Sequence, residues 1–138
     1  MSKKLAVIIK NKIKSFNKTI FCEGDKSISH RALLIASQCR GISRLRGILE
    51  AKDIVSTVEC LKKLGVKISK KNKDYLVFGN GLNSFRTPQG KTLNAGNSGT
   101  LARILIGLLA TNHFFKVKIT GDKSLNTRDM ERIIRPLS

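Results

Sequence analysis

Three stretches of this 138-residue chain share one chemical character, a glycine turn running into basic and hydroxyl side chains: Gly24-Asp-Lys-Ser-Ile-Ser-His-Arg31, Gly96-Asn-Ser-Gly-Thr-Leu-Ala-Arg103 and Gly121-Asp-Lys-Ser-Leu-Asn-Thr-Arg128. A glycine-rich turn that opens a helix leaves backbone N–H groups unpaired at the positive end of the helix dipole, and such a site suits an anion. In the first stretch Lys26 and Ser27 add an ammonium and a hydroxyl, and Arg31, one turn beyond Ser27, shares their helical face. In the second, Gly99 carries no Cβ, so the bare amides around it approach an oxyanion closely. Two anion sites at equivalent places point to a pair of anionic substrates. Helix capping with no ligand is the competing reading of the same spacing, with Arg31 and Arg103 solvated or salt-bridged. The third stretch by itself reads equally as a plain strand-to-helix turn.

Other chemistry is less well supported. Gly90-Lys-Thr92 invites a P-loop reading, but that motif needs glycine at position 85, where Phe85 stands. His30 and His113 have no carboxylate or thiol partners at ligand spacing, so no metal is expected; His30 reads as a helix residue and His113 as a turn residue. Cys22, Cys39 and Cys60 are odd in number and form no CxxC pair, which favours a reducing, cytoplasmic setting. Leu5 to Ile9 is too short for a signal-peptide core, and Arg103 interrupts the later apolar run. The 27 Lys and Arg against 9 Asp and Glu give a formal charge of +18. That excess calls for anionic partners without choosing among nucleic acid, an acidic membrane surface and phosphorylated small molecules. The lysines between 70 and 73 read as a solvated face.

The elements that position these residues repeat. Gly24 and Gly96 are 72 residues apart, each followed seven residues later by arginine and then by an apolar helix, and the same offset carries Ile42 to Ile48 onto Phe114 to Thr120. The patterning predicts a strand over Lys18 to Cys22, a helix over Ser27 to Gln38, a strand over Ser43 to Ile48 and a helix over Ile54 to Leu64 with Asp53 as N-cap. A hairpin of Val66 to Ser69 and Tyr75 to Phe78 completes a βαβαββ unit. The second unit has a strand over Lys91 to Asn94, a helix over Ser98 to Thr111, a strand over Phe115 to Thr120 and a helix over Thr127 to Leu137. Its hairpin would fall beyond Ser138, so the sequence is expected to be truncated, with a complete two-unit domain as the alternative.

Taken in order, Gly24-Asp-Lys-Ser-Ile-Ser-His-Arg-Ala-Leu-Leu34, Asn94-Ala-Gly-Asn-Ser-Gly-Thr-Leu-Ala-Arg103 and Thr120-Gly-Asp-Lys-Ser-Leu-Asn-Thr-Arg128 resemble the N-terminal part of the 3-phosphoshikimate 1-carboxyvinyltransferase (5-enolpyruvylshikimate-3-phosphate synthase) family. The resemblance implies an α/β (α+β) fold of repeated βαβαββ units, the inside-out barrel of the enolpyruvyl transferases, with one complete unit and most of a second here. Residues 1–17 would then be a strand belonging with the other domain, and 18–138 an incomplete repeat domain. The implied activity is transfer of the enolpyruvyl group of phosphoenolpyruvate to the 5-hydroxyl of shikimate 3-phosphate, releasing phosphate, without cofactor or metal.

By the same resemblance, Lys26 would contact both substrates, Ser27 and Arg31 would hold shikimate 3-phosphate, and Asn97, Gly99 and Arg128 would hold phosphoenolpyruvate. The proton-transfer groups would lie downstream, so these residues alone are expected to be inactive, and the full-length protein is expected to be a monomer without a membrane partner. Two residues depart from the family pattern: Glu23 and Asp129 stand where proline is common. Asp129 would place a carboxylate beside Arg128 and weaken its pull on substrate. The rivals are the UDP-sugar enolpyruvyl transferase of the same fold, which Lys26-Ser-Ile-Ser-His-Arg31 disfavours, and a small basic nucleic-acid-binding protein. The latter is disfavoured by six Phe, one Tyr and no Trp, with no recognised nucleic-acid motif.

Overall fold

The computed structural model describes residues 19, 22–111 and 116–138. The expected strand over 1–17, most of that over 18–22, and His113 lie outside the described residues.

Asp25 ends the first glycine turn and caps α1 (Lys26–Gln38), its Oδ1 accepting from the Ile28 N–H at 2.7 Å. Gly24 is obligatory here because a Cβ would run into the Gly47 carbonyl oxygen. α1 leads into β1 (Arg40–Leu45), which begins and ends three residues earlier than the apolar alternation suggests. The reason is Gly47, whose φ of +68° turns the chain so that Ile48 is buried from a loop and not from a strand. α2 (Lys52–Lys63) starts ahead of its expected first turn, with Ala51 at the N-cap and no side-chain cap. Asp53 is therefore not the cap. It stands inside the first turn, where its charge still favours the helix dipole and its carboxylate is free for another partner.

β2 (Lys67–Lys71) and β3 (Asp74–Asn80) form the expected antiparallel hairpin, with Asn72 at φ +57° in its turn. β3 also pairs with β1, so the sheet order is β1-β3-β2. The lysines at its turn are exposed, as a solvated face requires, and Lys70 in addition pairs with Glu50 at 2.6 Å and lies over the Tyr75 ring.

In the second unit β4 (Thr92–Asn94) and β5 (Lys118–Thr120) pair in parallel on either side of α3 (Gly99–Ala110) in the chain. The single helix expected from Thr127 to Leu137 is instead two: α4 (Lys123–Asn126) and α5 (Glu131–Leu137). Four local bonds divide it. Asp122 caps α4 by accepting from Leu125 N–H, Asn126 brackets Gly121 through its N–H and C=O, and Asp129 accepts from Glu131 N–H at 2.7 Å to restart the chain as α5.

One core joins both units. Leu33 and Leu34 of α1, Ile54 and Leu61 of α2, Val77 of β3, Leu93 of β4, and Leu101 and Leu105 of α3 are almost wholly buried. Each buried leucine of this kind is worth about 1.5–3 kcal/mol relative to exposure, so the helix starts sit on a well-anchored frame. Phe85, which stands at the position a P-loop would require to be glycine, is buried in the same core.

Candidate functional site

The first cradle is the start of α1. Ser29 Oγ donates to the Asp25 carbonyl at 2.7 Å and accepts from Leu49 N–H at 3.0 Å, fixing the turn against the loop after β1. Lys26, half exposed, forms an ion pair with the more enclosed Asp53 of α2. Ser27 is half-buried and Arg31 exposed on the same stretch of helix, and among the described residues Arg31 makes no ion pair. An ammonium held by a neighbouring carboxylate, beside a hydroxyl and an uncommitted guanidinium, suits a phosphorylated or carboxylated ligand.

The second cradle is the start of α3. Ser98 is its N-cap, accepting from Leu101 N–H at 3.1 Å. Gly99 faces two guanidiniums: a Cβ there would stand 2.9 Å from Arg103 Nη1 and 3.0 Å from Arg128 Nη1. Arg128, exposed between α4 and α5, donates from Nη2 to Asn97 Oδ1 at 3.0 Å and to Ser124 Oγ at 3.3 Å. Asn97 Nδ2 in turn donates to Asp122 Oδ2 at 2.6 Å. That bond, followed by the one from Leu125 N–H, holds the Asp122 carboxyl below its ordinary range. Asp122 thereby orients the amide of Asn97, whose oxygen orients Arg128. Among the described residues Asp129 forms no ion pair with Arg128. Its carboxylate is occupied at Glu131 N–H, while its carbonyl accepts a long 3.4 Å bond from Arg103, so the expected weakening of Arg128 has no contact behind it.

The two cradles are joined. His30, on α1 one turn beyond Lys26, is wholly buried, with Nδ1 2.6 Å from Thr57 Oγ1 of α2 and Nε2 3.0 Å from Ser98 Oγ. Burial holds its pKa below the usual 6.5, with Asp53 opposing that shift and Lys26 reinforcing it. Cys60, also buried, bonds to the Asn94 carbonyl, and burial pushes its thiol up to about 11, which leaves it unreactive.

Of the six residues singled out from the sequence, Lys26, Ser27 and Arg31 gather at one helix start and Asn97, Gly99 and Arg128 at the other. Sequence reasoning left Arg103 undecided and missed Asp53 and His30. Arg103 was within reach of spacing, because it follows Gly99 by four residues and so lies on the same face. Asp53 and His30 depend on contacts between helices, for which no local pattern exists. Among the described residues no helix is long and apolar enough to cross a membrane, and no group of three His, Cys, Asp or Glu is placed to hold a metal ion.

Repeated α/β units thus carry two glycine-opened helix starts with cations beside each, an arrangement whose chemistry suits anions. Comparison with known proteins gives that arrangement its family. The family model described as EPSP synthase (3-phosphoshikimate 1-carboxyvinyltransferase) matches residues 10–138. Proteins named 3-phosphoshikimate 1-carboxyvinyltransferase are similar to the chain: that of Oenococcus oeni is 44% identical over 122 residues, and that of Alkaliphilus metalliredigens 40% identical over 131. These alignments take in 88% and 95% of this chain but 28% and 30% of the relatives. A solved EPSP synthase from Acinetobacter baumannii superposes with a TM-score of 0.76 at 39% identity, covering 83% of this chain and 26% of that one. The chain belongs to the EPSP synthase family, has its α/β fold, and spans less than a third of the length of these relatives.

Proposed function

We propose that this chain is the part of a 3-phosphoshikimate 1-carboxyvinyltransferase that gathers the two substrates, with shikimate 3-phosphate at the start of α1 and phosphoenolpyruvate at the start of α3. The observation that supports this best is the convergence of two guanidiniums on Gly99 at the opening of α3, with Arg103 Nη1 and Arg128 Nη1 2.9 and 3.0 Å from where a Cβ would stand. Ser27 and Arg31 hold the shikimate 3-phosphate, and Asn97, Gly99 and Arg128 hold the phosphoenolpyruvate. Lys26 lies between them and contacts both, steered by Asp53.

Two substrates carrying several negative charges repel one another, so gathering them against fixed cations and amides is a large part of the catalytic work. The reaction joins the 5-hydroxyl oxygen to C2 of phosphoenolpyruvate, with proton transfer from that hydroxyl and to and from the methylene carbon, and expels phosphate. Among the described residues the carboxylates at the cradles are already committed, Asp25 to Ile28 N–H, Asp53 to Lys26 and Asp122 to Asn97. The 138 residues therefore bind and do not turn over. Calorimetric titration should show saturable binding of shikimate 3-phosphate that is lost in Arg31→Ala, and of phosphoenolpyruvate that is lost in Arg128→Ala, with no phosphate released from the pair. Retention on single-stranded DNA that these variants leave unchanged, with no binding of either substrate, would reverse the reading in favour of a nucleic-acid partner.

A further inference from the structure

A buried imidazole is a costly way to fill space that leucine would fill, so its polar atoms call for an account. At His30 the account is complete and runs in one direction. Leu101 N–H donates to Ser98 Oγ at 3.1 Å, so the Ser98 hydroxyl hydrogen is free to point at His30 Nε2, 3.0 Å away. Thr57 Oγ1 donates to the Asp53 carbonyl at 3.2 Å, so it accepts from His30 Nδ1 at 2.6 Å. These bonds suit a neutral ring with its proton on Nδ1, and among the described residues no buried side-chain polar atom is left unpaired. A second ring proton would drive two donors, His30 Nε2–H and Leu101 N–H, onto Ser98 Oγ and leave the serine hydrogen without its acceptor.

The chain of bonds starts at Asp53, whose carboxylate grips Lys26 in the first cradle, and ends at Ser98, between Asn97 and Gly99 of the second. Among the described residues, His30 to Ser98 is the one side-chain hydrogen bond running from α1 to the start of α3. We propose that His30 is a positioning residue: by locking the α3 N-cap to α1 and α2, it fixes the separation of the two anion cradles and hence of the two substrates. This rests on the substrate reading above, and its consequence is specific. Loss of the Ser98 link should disturb the α3 cradle and leave the α1 cradle intact.

Two substitutions divide the ring's roles. His30→Asn sets an amide near the Nδ1 position, keeping Thr57 and releasing Ser98, whereas His30→Gln sets its carbonyl near Nε2 and keeps Ser98. The expected result is a roughly tenfold or greater loss of phosphoenolpyruvate affinity in His30→Asn, with shikimate 3-phosphate affinity within about twofold, and recovery of most of that loss in His30→Gln. Ser98→Ala should reproduce His30→Asn without adding to it. Equal losses of both ligands in both variants, or no loss in either, would overturn the proposal by reducing His30 to packing.

Two measurements need no substrate. In the ligand-free chain, nitrogen-15 NMR of His30 should show a protonated Nδ1 and a bare Nε2, and exchange protection of the Leu101 amide should fall in His30→Asn and persist in His30→Gln. A ring protonated on Nε2, or Leu101 protection indifferent to both substitutions, refutes the positioning role even if both substrates bind. A wild-type chain that binds neither substrate while passing both NMR tests instead refutes the substrate reading and leaves the link between the helices standing.

Discussion

Gly99→Ala separates the stability of the second cradle from its use. Gly99 opens α3 and its φ is not in the left-handed region, so alanine fits the backbone and should add about 0.5–1 kcal/mol through helix propensity and reduced unfolded-state entropy. The new Cβ would meet only side-chain ends, Arg103 Nη1 at 2.9 Å and Arg128 Nη1 at 3.0 Å, which swing aside at little cost to the fold. An anion held there would lose at least one charged hydrogen bond, worth about 1.5–3 kcal/mol, or roughly tenfold to a hundredfold in Kd. Stability and affinity should therefore move in opposite directions. Urea unfolding supplies the first quantity and phosphoenolpyruvate titration the second. Unchanged affinity in a folded Gly99→Ala protein would refute the idea that the anion is held at Gly99 by the Arg103 and Arg128 guanidiniums.

Other changes give different signatures. Gly24→Ala would force a Cβ onto the Gly47 backbone carbonyl, which cannot swing aside, so the same substitution that is tolerated at Gly99 should cost about 1–3 kcal/mol here, seen as a lower urea midpoint. Because burial depresses the His30 pKa below 6.5, the unfolded chain binds that proton more readily; stability should hold above about pH 6.5 and fall as the pH drops below it towards the depressed folded value. A His30→Gln protein should lose that part of the pH dependence, while the fall from Asp122, whose pKa is also lowered, remains in the more acid range. A thiol reagent at pH 8 should label exposed Cys22 and Cys39 promptly and Cys60 only as the protein opens, since Cys60 is buried with its pKa raised to about 11.

The two helix starts were legible in the sequence because the glycine turn, the capping oxygen and the cation one turn on are set by spacing along a single helix. The repeat at an offset of 72 residues placed α3 from α1, and alternation placed the hairpin. What spacing could not reveal is where residues from different elements compete for the same role. Asp53 has the right type for an N-cap, yet Ala51 starts α2 and the carboxylate goes to Lys26 across a helix boundary. Thr127 to Leu137 is patterned as one helix, but Asp122, Asn126 and Asp129 spend their side chains on nearby backbone groups and break it, which leaves Arg128 in the gap facing Asn97. His30 is a lone histidine in a helical run until Thr57 and Ser98, 27 and 68 residues away, close on its two nitrogens.

The central claim is that the starts of α1 and α3 are two anion sites held at a fixed spacing for two different substrates. Residue-resolved amide shifts, followed while shikimate 3-phosphate and then phosphoenolpyruvate are added at constant ionic strength, test it most directly. Saturable shifts at Lys26, Ser27 and Arg31 with the first ligand and at Asn97, Gly99 and Arg128 with the second are predicted. Shifts spread over Lys67, Lys70, Lys71 and Lys73, alike for both ligands and erased by added salt, would contradict it.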